Sequence, residues 1–62
     1  MCELNAYLLD RDENRLVMKG VDTVEPLADG ICLTSILGDQ KVIQAFIHSI
    51  STGTSSIFLK EL

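Results

Sequence analysis

Cys2 has the widest chemistry open to it of any residue in this sequence. A thiolate one residue from the chain start can act together with the amine of Met1 and the backbone nitrogen of residue 2, because these donors are linked through five-membered chelate rings. If Met1 were removed, the new amine and the Cys2 thiolate would still close one such ring. Nitrogen-plus-thiolate sets suit late divalent metals, with square-planar geometry pointing to Ni(II) or Cu(II) and tetrahedral sulfur-rich geometry to Zn(II). One chain supplies only part of a coordination shell. A two-fold dimer that brings both Cys2 residues together supplies two thiolates. The plainer alternative is that Cys2 is a small apolar residue opening a first strand.

The other reactive side chains point to less. Cys32, in Ile31-Cys32-Leu33, has the apolar setting of an inert buried thiol. His48 is the one histidine, and a single histidine without nearby ligands favours a hydrogen-bonded strand residue over a metal ligand. Asp10, Asp12 and Glu13 fall in one turn without the glycine and spacing of a calcium loop. The serines form no Ser–His–Asp arrangement that the sequence supports. Gly38-Asp39 lacks the glycine spacing and the Lys-Ser/Thr pair of a phosphate loop. No nucleophile or acid–base set emerges, so an enzyme is the least favoured class.

Composition sets the frame. Sixty-two residues make one small β domain, 1–62. A chain of this size buries only about 60% of the surface its unfolded form exposes. Small scaffolds offset this with disulfides, a metal or a partner chain. Two cysteines do not make a disulfide framework. The chain is 47% apolar and 23% charged, which is ordinary for a globular domain. Its net charge of −4, with only five scattered basic residues, opposes a nucleic-acid partner. No apolar run reaches the ~18–20 residues of a membrane span. The start MCELNAYLLD has neither the basic head nor the apolar core of a signal peptide. The expectation is a cytoplasmic protein with both cysteines reduced.

Turn signals recur at Asp10–Asn14, Gly20, Pro26 with Asp29-Gly30, Gly38-Asp39 and Ser51–Ser56. The short segments between them read as strands. Residues 2–9 put Cys2, Leu4, Ala6 and Leu8 on one face. Residues 15–19 return across the acidic turn with Leu16 and Met18 on one face. The Asp29-Gly30 signal joins 21–27 to 31–36 as a hairpin. Residues 41–50 carry Val42, Phe46 and Ile50 on one side and Ile43, Ala45 and Ile47 on the other. A strand apolar on both faces in so small a chain implies that a second subunit covers one of them. Residues 56–61 add a last strand with Ile57 and Leu59 inward. The predicted fold is all-β: about six short antiparallel strands in a strongly curved sheet or small barrel of the SH3 or Sm kind.

Several stretches together resemble the CooT-type nickel-binding family, whose members are also labelled predicted RNA-binding proteins. They are Met1-Cys2-Glu3, Ala6-Tyr7-Leu8, Val17–Asp22, Val24-Glu25-Pro26, Asp29-Gly30-Ile31 and Leu37-Gly38-Asp39-Gln40-Lys41. The resemblance spans the chain, and its most specific element is the Met-Cys start combined with the central Leu-Gly-Asp turn. It implies a homodimer of small β-domains that binds Ni(II) at the interface through Cys2, with Met1 beside it. It also implies delivery of nickel to a client enzyme such as carbon monoxide dehydrogenase. Leu37 stands where an aromatic is common, and Ser49 where an acidic residue often follows the isoleucine. Two other readings compete with the metal carrier. One is a small RNA-binding barrel, which the acidic balance and the three aromatics Tyr7, Phe46 and Phe58 oppose. The other is a metal-independent protein-interaction module.

Overall fold

The computed structural model describes residues 3–62 as six strands and no helix. The strands are β1 (Leu4–Asp10), β2 (Glu13–Leu27), β3 (Gly30–Ser35), β4 (Gln40–Ile43), β5 (Ala45–Ser51) and β6 (Ser56–Glu61). They form one sheet in the order β4-β3-β2-β1-β6-β5, curled into a half-barrel. The all-β, strongly curved architecture expected from the sequence is therefore present. One ladder departs from the antiparallel expectation: β1 and β6 run parallel, from Asn5↔Ser56 to Leu9↔Lys60. The two strands are far apart in sequence, so no tight hairpin dictates their relative direction.

The core follows from alternation. Ala6 and Leu8 of β1, Ile31 and Leu33 of β3, and Ile57 and Leu59 of β6 are all buried, each pair two residues apart. Met18 and Val21 of β2 and Ala45 of β5 complete it. On the outer face, Tyr7 and Phe58 sit opposite each other across the parallel ladder, their rings stacked with centroids 5.9 Å apart.

Three local expectations are corrected. Gly20 does not end a strand. It sits inside a single 15-residue β2 at φ 60°, between a half paired with β1 and a half paired with β3. A glycine at positive φ lets the strand bend without ending, as in a β-bulge. Leu16 does not share the face of Met18. The register shifts between Ala6↔Met18 and Tyr7↔Leu16, so Met18 turns inward while Leu16 stays exposed. Residues 41–50 are not one strand. Gln44 carries the chain from β4, at one edge of the sheet, to β5, at the other. The β4–β5 corner packs tightly on the start of β3, where a Cβ on Gly30 would run into the Ile43 carbonyl.

Candidate metal centre

Met1 and Cys2, the expected metal ligands, lie outside the described residues. The residues just after them show what positions the chain start. Leu4 pairs with Val21 of β2. The Asn5 N–H donates to the Ser55 carbonyl at 2.9 Å, and the Asn5 side-chain oxygen accepts from the Gly20 N–H at 3.2 Å. The bend in β2 is thus tied to the start of β1 through one asparagine.

Gly20 is also the meeting point of two other groups. Its carbonyl accepts from the Ile36 N–H at 2.8 Å. A side chain at Gly20 would lie 3.3 Å from Ile36 Cγ1 and 3.6 Å from Glu3 Oε2. A Cβ here would press on the Ile36 side chain, whereas the Glu3 carboxylate would stand at ordinary contact distance.

Ile36 opens the turn between β3 and β4, and a buried serine builds that turn. Ser35 Oγ accepts from the N–H groups of Leu37 and Asp39, each at 3.2 Å. The Ser35 N–H donates to the Asp39 carbonyl at 2.8 Å, and the Gly38 N–H donates to the Ser35 carbonyl at 2.9 Å. Side-chain oxygens that take backbone N–H groups in this way fix a turn as a backbone ladder would. The turn so fixed holds Ile36 60% exposed and Leu37 85% exposed. Below it lies a cleft of about 380 Å³, lined by Val17, Met18, Gly20 and the charged residues Glu3, Lys19, Asp39 and Lys41. Lys41 also reaches across β3 to donate to the Val17 carbonyl at 3.0 Å.

The remaining sequence candidates are not gathered here. Cys32 is a half-buried thiol on β3, opposite Glu25 and Val42. His48 is exposed on β5, with Nδ1 3.2 Å from Ser49 Oγ. Among the described residues no three His, Cys, Asp or Glu side chains converge on a metal-sized space. Sequence reasoning missed the Ser35-built turn and its contact with Gly20. The signal was available: a serine two residues before Leu37-Gly38-Asp39 is placed to accept turn N–H groups.

Comparison with known proteins supplies the context. The family profile described as CO dehydrogenase accessory protein CooT matches residues 1–60. A crystal structure described as CooT from Carboxydothermus hydrogenoformans superposes with a TM-score of 0.91 at 31% sequence identity, covering 98% of each chain. No curated protein matches.

Proposed function

We propose, for a chain that belongs to the CooT family of CO dehydrogenase accessory proteins, the role of a nickel carrier built from two copies. The family serves an enzyme and is not itself one. In this reading Ni(II) is cargo, held at the subunit interface by Cys2 thiolates with the Met1 amine or the backbone nitrogen of residue 2. It acts in the cytoplasm and passes the ion to a nickel enzyme, with CO dehydrogenase the first client to test.

The observation that carries this reading is the whole-chain family match, which includes the Met1-Cys2 start. Two features support it. The family match reaches the first residue and so takes in the one thiol at the chain start. The start of β1 is anchored on both sides, to Ser55 and to Gly20, through Asn5. Few protein ligands and a position at a chain end also suit an ion that must be released.

Calorimetric titration of Ni(II) into the wild type and into Cys2→Ser tests the reading. The expected result is one nickel per two chains for the wild type, and an affinity lower by about 100-fold or more for the variant, at or beyond the upper end of what loss of a supporting group costs a metal site. Binding should weaken as pH falls, because thiol and amine must both release protons to ligate. Equal affinity for both proteins would remove Cys2 from the site.

A further inference from the structure

The half-barrel leaves one flank of its core uncovered. Cross-strand partners share a face of the sheet. Ile47 of β5 is the partner of Leu59, and Ile50 is the partner of Ile57. Leu59 and Ile57 are buried, yet Ile47 is 41% exposed and Ile50 56%. Across the opening, Pro26 of β2 is the partner of buried Ile31 and is itself exposed. Between these strands lies a groove of about 400 Å³, lined by Val24, Pro26, Leu27, Ile31, Phe46 and Ile47. Among the described residues, no charged side chain lines it.

Charge begins at its border. Leu62 lines the groove and also a second recess of about 400 Å³, which it shares with Asp29, Gln44 and Glu61. Both ionisable residues of that recess are carboxylates. Lys60, the nearest cation in sequence, is the partner of Phe46, whereas Glu61 is the partner of buried Ala45. Strand alternation therefore turns Lys60 to the other face of the sheet.

We infer that this groove docks a short segment of a partner protein that carries branched apolar side chains next to Lys or Arg. The apolar side chains cover the open flank of the core, and the cations meet Asp29 and Glu61. The charge selects this occupant. A nucleic acid or an anionic lipid surface would set phosphates against the two carboxylates, and a second copy of the chain would set carboxylates against carboxylates. A carrier must engage the protein it serves, and the inference rests on the carrier reading in taking that protein as the occupant.

Solution NMR titration of isotope-labelled, nickel-free protein tests it with three synthetic hexapeptides: alternating Leu and Lys, alternating Leu and Glu, and alternating Ser and Lys. The expected result is that the Leu–Lys peptide shifts the amides of residues 24–31 and 45–47 and binds at least about 10-fold more tightly than either of the others. Ile47→Ala should weaken it by about 10-fold, as for a contact residue at the centre of an interface. Asp29→Asn combined with Glu61→Gln should weaken it by about 5-fold at low salt, the scale of two exposed ion pairs. This pair of changes also covers the case in which Ile47→Ala does not fold. Leu16→Ser, at an exposed position away from the groove, should leave binding unchanged. No binding of the Leu–Lys peptide, equal binding of the Leu–Glu peptide, or shifts confined to residues outside the groove overturns this inference and leaves the nickel site standing. Equal nickel affinity of wild type and Cys2→Ser overturns the Cys2 site and leaves the peptide result as it is.

Discussion

Two turns of this half-barrel are built on the same device and carry opposite side chains. The turn after β3 is pinned by Ser35, and the turn before β6 by Ser56, the two buried polar side chains described. Ser35 Oγ accepts two backbone N–H groups. Ser56 Oγ donates to the Thr54 carbonyl at 3.0 Å and accepts from Thr54 Oγ1 at 3.2 Å. The second turn projects Thr52, Gly53, Thr54 and Ser55, all polar or without a side chain. The first projects Ile36 and Leu37. A serine-pinned turn in this fold therefore does not need apolar residues to form. Exposed large apolar side chains therefore sit on only one of the two serine-pinned turns.

Substitutions in the two turns test this contrast, from the largest expected loss of folding stability to the smallest. All are read from urea denaturation of nickel-free protein diluted until it sediments as a monomer, so that association adds nothing to the measured stability. Ser35→Ala leaves two part-buried N–H groups without their acceptor and should cost about 2 kcal/mol. Gly20→Ala sets a Cβ at positive φ, 3.3 Å from Ile36 Cγ1, and should cost about 1–2 kcal/mol. It should also disturb the first turn while leaving the second untouched. Ser56→Ala removes a donor whose carbonyl acceptor lies in a surface turn, and should cost about 1 kcal/mol. Replacing Ile36 and Leu37 together by threonine should change monomer stability by no more than about 0.5 kcal/mol, as for other exposed positions. If that double variant instead loses stability on the scale of Ser35→Ala, the apolar pair is structural and the contrast between the turns disappears.

The same comparison shows which features the sequence made legible. Ala6, Leu8, Ile57 and Leu59 follow simple alternation with one buried face, and strand period alone places them in the core. Leu16 was misplaced because a register shift inside β2 moves it out of phase with Met18, and such a shift leaves no mark on the local pattern. Gly20 reads as a turn in sequence and acts as a bend, because its role depends on Ile36 and Glu3, which reach it from distant segments. The division of 41–50 at Gln44 and the parallel β1–β6 pairing likewise depend on contacts that only the folded sheet creates. The candidate metal site shows the reverse balance. Cys2 stands out in the sequence as a thiol beside the chain start, and it lies outside the described residues. The Asn5–Gly20–Ile36 junction at the start of β1 became visible only in three dimensions.

The central claim is that two copies of this chain share one nickel ion through Cys2. Native mass spectrometry of protein produced with nickel, alongside Cys2→Ser, tests it most directly, because subunit count, metal count and the fate of Met1 are read from the same spectrum. The account predicts a wild-type dimer carrying one nickel and a metal-free Cys2→Ser. One nickel on each monomer, or the same nickel load on both proteins, would contradict it.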